Sequence, residues 1–152
     1  LQREYLAFVW GVPQRPAGMI TTGIARSTHN RQKMAVSQSA MAKEAITHYV
    51  TVESFGGIAS LVRCNLETGR THQIRVHAAH IGHPVAGDEK YGDKEANKKL
   101  SAQFGLKRLF LHAASMQFAL NDGQTPYVLN APLAPELNEV LNKLAGDKLA
   151  GE

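Results

Sequence analysis

The sequence has 152 residues, of which 43% are hydrophobic, and this suits one compact domain with its own core. It contains no apolar run near the roughly 20 residues of a membrane helix, no signal-peptide pattern, and a single cysteine, Cys64, which excludes an internal disulfide. We therefore expect a cytoplasmic protein without a membrane partner, and the formal charge of +4 favours a polyanionic partner.

The chain opens on a predicted strand. Residues Tyr5 to Trp10 are rich in aromatic and β-branched side chains and are followed by Gly11. Because a core strand needs partners on both sides, we expect residues upstream of it to be missing, with an ordinary N-terminal edge strand as the alternative. From Pro13 to Lys43 the sequence is polar and basic, which predicts short strands and loops.

The clearest local pattern is a β-hairpin. Two strand-like runs, Ile46–Ser54 and Ile58–Glu67, are joined by Gly56-Gly57, a pair that tolerates the positive φ of a tight turn. Alternation along the second run predicts a shared inner face for Ile58, Val62, Cys64 and Leu66, with Arg63 and Asn65 on the outer face. Cys64 is then expected to be an inert core thiol.

Helices and a second hairpin are predicted after this point. Thr71 is a candidate N-cap for a helix from His72 to Ile81, which Gly82 and Pro84 end. The later predicted elements are a surface helix from Lys94 to Gly105, a hairpin of Leu109–Leu120 with Gln124–Asn130 across Asn121-Asp122-Gly123, and a helix from Pro135 to Ala145. Strands dominate and no βα unit repeats, so the predicted class is α+β, a mostly antiparallel mixed sheet with flanking helices.

The densest polar stretch, from Glu67 to His77, runs from a strand end into a helix N-terminus, where backbone N–H groups and the helix dipole favour an anion. Small residues at Ala78 and Ala79 would let another backbone pack close to Arg75. An arginine there has to pair with a carboxylate or a phosphate, because burying it alone is very costly. A structural salt bridge at this junction is the alternative to a functional site.

Metal and nucleophilic chemistry are weaker interpretations. His77, His80 and His83 are three residues apart, whereas two ligands on one helical face usually lie four apart, and only Cys64 is available to help. The sequence also has no Gly-x-Ser-x-Gly elbow and no glycine-rich phosphate loop. We therefore expect no metal site.

Three blocks of the sequence carry a resemblance to a known family. The blocks are Leu66-Glu-Thr-Gly-Arg-Thr-His-Gln-Ile-Arg-Val-His77, Gly82-His-Pro84 and Gly87-Asp-Glu-Lys-Tyr-Gly92. Together they resemble the signature of RluA-type RNA pseudouridine synthases. Two further blocks, Arg3–Gly11 and Arg108–Ala113, resemble the family's tyrosine strand and its later motif, in the same order. The stretch from Lys107 to His112 is most similar to members that act on large-subunit ribosomal RNA.

The resemblance implies a reaction and a set of site residues. These enzymes cut the uridine N-glycosidic bond, turn the uracil and rejoin it through carbon 5, using one aspartate and neither cofactor nor metal. The family's active-site tyrosine matches Tyr5, its arginine matches Arg75, and the apolar residue that closes its pocket matches Leu109. Implied contacts to RNA are Arg70, His72, Gln73 and Arg108.

The resemblance also implies an absence. The family's catalytic aspartate lies in a His-Arg-Leu-Asp block before the tyrosine strand, and only four residues precede Tyr5 here. The aspartates present, Asp88, Asp93, Asp122 and Asp147, do not match it. We expect residues 1–152 to be the C-terminal part of a single catalytic domain, monomeric, and inactive without the upstream segment. The alternative is a non-catalytic RNA-binding or ribosome-assembly module that keeps the scaffold.

Overall fold

A single antiparallel sheet organises the computed structural model, which describes residues 2–118 and 127–150. The elements found there are β1 (Gln2–Trp10), β2 (Ala17–Arg26), β3 (Met34–Val36), β4 (Lys43–Phe55), β5 (Ala59–Leu66), α1 (Gln73–His80), α2 (Lys94–Phe104), β6 (Leu111–Phe118), β7 (Tyr127–Asn130) and α3 (Pro135–Ala150). The strand order is β3-β2-β4-β5-β1-β6-β7, and every neighbouring pair is antiparallel. The predicted α+β class is confirmed.

The central strand β1 contributes buried side chains to both faces of the sheet, because successive side chains of a strand point to opposite sides. Ala7 packs with Ile74 of α1 in one buried cluster. Phe8 packs on the other face with Leu100 of α2 and Leu137 of α3. The sheet therefore lies between α1 on one side and α2 with α3 on the other.

The predicted hairpin at Gly56-Gly57 is confirmed, since β4 and β5 are antiparallel and the two glycines have φ of 59° and 74°. Cys64 is buried, as expected, and burial raises the pKa of its thiol to about 12. The inner-face prediction is wrong for Ile58, which is 69% exposed. The reason is that β5 begins only at Ala59, so that Ile58 belongs to the turn.

The segment from Pro13 to Lys43 is more regular than predicted. It contains β2, a strand of ten residues that buries Ile20 and Ile24 and pairs with β4. The predicted helices after residue 93 are confirmed as α2 and α3, whereas the predicted turn at Asn121-Asp122-Gly123 lies outside the described residues. None of the helices in the described ranges is long and apolar enough to cross a membrane.

Candidate active site

One buried side chain, Gln73, holds the loop that precedes α1. Its Oε1 accepts hydrogen bonds from Thr68 Oγ1 and from the Arg70 N–H, and its Nε2 donates to the Ile46 carbonyl and to Thr47 Oγ1. Gln73 is 3% exposed, and all its polar groups are satisfied inside the protein. The structure thus gives Gln73 a bracing role in place of the RNA contact predicted for it.

Helix α1 begins without the predicted Thr71 cap. Its N-cap residue is His72, which has a left-handed φ of 57° and makes no side-chain capping bond. The Thr71 prediction is wrong because the Gln73 side chain already fixes the loop, and the Gln73 N–H closes a tight turn onto the Arg70 carbonyl. Left-handed backbone costs a non-glycine residue roughly 1–2 kcal/mol, and such strain concentrates at functional sites.

Arg75 forms a bidentate ion pair with Asp88. Arg75 Nε donates to Asp88 Oδ2 at 2.8 Å, and Nη2 donates to Oδ1 at 2.9 Å. The Asp88 side chain is fully buried, whereas that of Arg75 is 17% exposed. The expectation that Arg75 pairs with an acid is therefore confirmed, and the acid belongs to this chain. Arg75 Nη1 has no hydrogen-bond partner among the residues that the structure describes.

Asp88 is held as an anion. Burial by itself raises the pKa of the Asp88 carboxyl, but hydrogen bonds from Arg75 and from the backbone N–H groups of Tyr91 and Lys90 outweigh burial and lower the pKa. With both oxygens engaged and no exposed surface, Asp88 is not available as a nucleophile. The other aspartate with a described side chain, Asp93, caps α2.

Tyr91 connects three parts of the molecule. Its ring centre lies 5.2 Å from the guanidinium carbon of Arg75, within the range of a cation–π contact. Its hydroxyl accepts a hydrogen bond from the Met34 N–H at 2.8 Å and lies 2.8 Å from His72 Nδ1. One side chain therefore joins β3, the start of α1 and the turn that follows Asp88.

Tyr5 and Leu109 lie on the face of the sheet that carries α1. Both pack against the same buried cluster, which includes Ile74, the neighbour of Arg75 in the sequence. A β-bulge between Glu4 and Tyr5 interrupts the pairing of β1 with β6, and bulges often re-aim side chains beside active sites. The structure thus brings the three residues predicted for the centre of the site to one face.

Gly87 allows the segment that carries Asp88 to lie against Leu109. A Cβ at Gly87 would be 2.1 Å from the Arg108 carbonyl oxygen and 3.2 Å from Leu109 Cα, and its φ is 80°. Backbone hydrogen bonds join the preceding Ala86 to β1 and to the residue before β6. Since only glycine fits this close approach, Gly87 sets the position of the Arg75–Asp88 pair beside Leu109.

Arg70 and Arg108, predicted to contact RNA, both lie at the surface. Arg70 Nε donates to the Glu44 carbonyl at 2.8 Å. Arg108 pairs with Glu136 at 3.0 Å and is 45% exposed. Each guanidinium has five N–H donors, and the described contacts use only some of them. Both side chains therefore retain donors for a ligand.

The histidines that suggested zinc do not converge. His77 Nδ1 and Nε2 lie 2.8 Å from the hydroxyl oxygens of Thr47 and Thr22, and His83 Nδ1 lies 2.9 Å from the Trp10 carbonyl oxygen. No group of three or more His, Cys, Asp and Glu side chains in residues 2–118 and 127–150 could hold a metal ion. Burial lowers the pKa of His77 to about 4, so this imidazole is neutral near pH 7.

Two residues of the site, Asp88 and Tyr91, were not predicted. Both belong to the block from Gly87 to Gly92 that carries part of the family resemblance, and this block was the available signal. The three-residue spacing within a turn gave no indication that both side chains contact Arg75 on a different element. That contact depends on the packing of the turn against α1.

Comparisons with known proteins support the family that the site residues suggest. The family described as RNA pseudouridylate synthase matches residues 1–80. The chain is 37% identical over 148 residues to ribosomal large subunit pseudouridine synthase C of Pasteurella multocida. The aligned region covers 97% of this chain and 45% of that relative. It is 44% identical over 119 residues to ribosomal large subunit pseudouridine synthase D of Zymomonas mobilis, covering 78% of this chain and 37% of that one.

A solved structure agrees with these sequence matches. Human RNA Pseudouridylate Synthase Domain Containing 1 superposes with a TM-score of 0.73 at 27% identity, covering 98% of this chain and 66% of the human chain. The present chain spans about half the length, or less, of the curated relatives that it matches.

Proposed function

The chain belongs to the RNA pseudouridylate synthase family, and we propose that the protein converts uridine to pseudouridine in large-subunit ribosomal RNA. The observation that carries this proposal is the placement of Tyr5, Leu109 and the Arg75 helix on one face of the sheet, with Nη1 of Arg75 unpaired in the described structure. Relatives named for the large ribosomal subunit support the choice of RNA.

Each residue has a separate chemical task in this proposal. Enzymes that modify a base take it out of the stack, and here Tyr5 packs on the flipped uracil while Leu109 closes the pocket. Asp88 occupies the Nε side of the Arg75 guanidinium, so Nη1 and the second N–H of Nη2 remain for another carboxylate. That carboxylate is the catalytic aspartate, which the positive charge of Arg75 keeps ionised and aimed.

We propose that this aspartate lies outside the 152 residues. Asp88 is buried and fully engaged by Arg75, and Asp93 lies at the start of α2, beside the cavity on the other face of the sheet. Neither side chain can meet a base that is stacked on Tyr5. The curated relatives extend well beyond the matched part, of which this chain covers 45% in one case.

The test compares the full-length protein with the 152-residue chain on a large-subunit rRNA transcript. We expect pseudouridine from the full-length protein and none from the chain, because no described group replaces the aspartate. The isomerisation does not change mass, so carbodiimide labelling and primer extension would detect it. Turnover by the 152-residue chain alone would show that the nucleophile lies within these residues, contrary to the proposal. Inactivity of the full-length protein would favour the non-catalytic RNA-binding module.

The distribution of charge supports RNA as the partner. Residues 12–43 contain five of the 17 Lys and Arg residues and none of the 13 Asp and Glu residues. Tyr91 and Lys90 tie this basic segment to the site by hydrogen bonds to the backbone of Met34 and Gln32. Since Lys and Arg release counterions when they meet phosphates, we propose that the RNA backbone follows β2 and β3. The proposed contacts nearer to the base are Arg70, His72 and Arg108.

Replacing Arg31 and Lys43 together by glutamine is expected to weaken RNA binding and to flatten its salt dependence. Both side chains are exposed, and neither forms an ion pair with a described residue. If each contacts one phosphate, the slope of log affinity against log salt should fall in magnitude by roughly 0.7 per residue for single-stranded RNA. Fluorescence anisotropy at several salt concentrations measures this slope.

The matched control replaces Lys98 and Lys99 of α2 by glutamine, which removes the same charge from exposed positions. Because α2 packs on the other face of the sheet, we expect the control to bind RNA with the slope of the wild type. Equal changes in both double variants would contradict a phosphate-binding surface along β2 and β3, and would indicate a general effect of net charge.

A further inference from the structure

The hydroxyl of Tyr91 has two polar neighbours, and their chemistry limits where its proton can lie. The Met34 N–H donates to the Tyr91 oxygen at 2.8 Å, and a backbone N–H can act only as a donor. The second neighbour is His72 Nδ1, at 2.8 Å. It is the one acceptor that a described residue offers to this hydroxyl. Tyr91 can donate its proton to Nδ1, or its oxygen can accept a second hydrogen bond from a protonated Nδ1. The second arrangement leaves the hydroxyl proton without an acceptor among the described residues, so the first is favoured.

A donation from Tyr91 to Nδ1 would fix the form of the His72 ring. A neutral imidazole that accepts at Nδ1 carries its proton on Nε2. The surroundings favour the neutral ring, because burial and the cations of Arg75 and Lys90 lower the pKa of His72, with the Asp88 carboxylate opposing them. Nε2 has no partner among the described residues and is not a buried unsatisfied atom. In this tautomer the Nε2–H is open to a ligand.

Tyr91 also constrains the geometry around His72. The two rings meet edge to face, with centroids 5.5 Å apart and planes at 69°. The same tyrosine ring lies over the Arg75 guanidinium, and His72 itself is held at a left-handed φ of 57°. A single side chain thus sets the orientation of one candidate RNA contact and supports the plane of the candidate catalytic arginine.

We propose that Tyr91 is a positioning residue that holds His72 as a neutral imidazole, with its Nε2–H free to donate to an oxygen of the bound RNA. The part that concerns RNA rests on the proposed function, whereas the position of the proton does not. A neutral donor suits this place, since it contacts an oxygen acceptor without adding positive charge beside Arg75. Both a phosphate oxygen and a uracil carbonyl have this acceptor chemistry.

The proton position is tested by NMR on the full-length protein without substitution. Long-range ¹H–¹⁵N correlation spectra of the uniformly labelled protein at pH 7.5 distinguish a protonated from an unprotonated ring nitrogen, and the spectrum of His72→Gln assigns the signals. We expect Nδ1 to be unprotonated and Nε2 to be protonated. In Tyr91→Phe, which keeps the ring and loses the hydroxyl, we expect a mixture of the two tautomers. A protonated Nδ1 in the wild type, or an unchanged tautomer in Tyr91→Phe, would overturn the proposal.

The RNA contact is tested by initial rates of the full-length protein on a large-subunit rRNA transcript. Removing one neutral hydrogen bond to the substrate should lower kcat/KM by about fivefold to tenfold in His72→Ala. His72→Gln keeps a side-chain N–H donor and should retain more of the activity. Tyr91→Phe should fall between the wild type and His72→Ala in kcat/KM, with a melting temperature a few degrees below that of the wild type because the Met34 N–H loses its acceptor. Wild-type kcat/KM in His72→Ala would overturn the RNA contact.

Once the modified uridine has been located, a contact to a phosphate oxygen can be distinguished from a contact to the uracil carbonyl. A methylphosphonate beside that uridine replaces one non-bridging phosphate oxygen by a methyl group, and its two diastereomers remove one or the other oxygen. A phosphate contact therefore predicts that the wild type and His72→Ala have equal rates on one diastereomer. A contact to the uracil predicts that the difference persists. If the full-length protein forms no pseudouridine at all, the proposed function fails, whereas the NMR result on His72 still stands or falls by itself.

Discussion

Replacing Arg75 by lysine in the full-length protein is expected to lower the rate of pseudouridine formation by about a hundredfold or more, a larger loss than the accompanying fall in stability explains. The guanidinium uses its Nε side for Asp88 and has an unpaired Nη1 for a second carboxylate. A lysine ammonium keeps the charge but has no planar fork, so it cannot orient both acids at once. Loss of a charge-assisted pair with a buried partner costs roughly 3–5 kcal/mol, which corresponds to a hundredfold or more in rate.

The measurement is the initial rate on an rRNA transcript, with the melting temperature determined alongside. Arg63→Ala is the control, because Arg63 forms an exposed ion pair with Glu4 on the opposite face of the sheet, and its rate should stay within about a few-fold of the wild type. Wild-type turnover by Arg75→Lys would remove Arg75 from the catalytic site. Activity that falls only in proportion to stability would make the Arg75–Asp88 pair a structural salt bridge.

The parts of the fold that depend on local rules were predictable from the sequence. The Gly56-Gly57 hairpin follows from turn chemistry and alternation, and α2 follows from Asp93 as N-cap and Gly105 at its end. Strand β2 was underestimated, because the segment from Pro13 to Lys43 is polar and basic, and two glycines stand within the strand. At Gly18, however, a Cβ would be 2.7 Å from Tyr49 Oη, so this glycine marks a close approach within a continuous strand.

The site was predictable to the extent that one contiguous motif carries it. Arg75 and His72 stand in that motif, and the structure places both beside the Gly87–Gly92 turn. The partners themselves were not predictable from spacing, because each contact joins elements that are distant in sequence. For Gln73, the sequence suggested a ligand contact that the structure does not support. A polar residue at a helix start suggests a ligand contact, but here it satisfies a buried loop.

Acid is expected to destabilise the protein through His77, by up to roughly 3 kcal/mol between pH 6.5 and pH 4. The pKa of His77 falls from 6.5 to about 4 in the folded protein because the ring is buried, with a smaller effect of His80. Between these values the unfolded chain binds a proton that the folded protein does not, so the free energy of unfolding rises with pH. Each pKa unit corresponds to about 1.4 kcal/mol. The contribution is complete above pH 6.5 and is lost as the pH falls towards 4.

Urea unfolding at intervals from pH 4.5 to 7.5 measures this change. In His77→Gln the titrating ring is gone, so we expect lower stability near pH 7 but a shallower dependence on pH. His29→Gln, at an exposed histidine, should keep the wild-type dependence. Asp88 contributes little to the change in stability over this pH range, because its pKa in the folded protein lies below the ordinary value of 3.8. Parallel curves for the wild type and His77→Gln would show that His77 takes up its proton without unfolding, and that the Thr22 and Thr47 hydroxyls tolerate a charged ring.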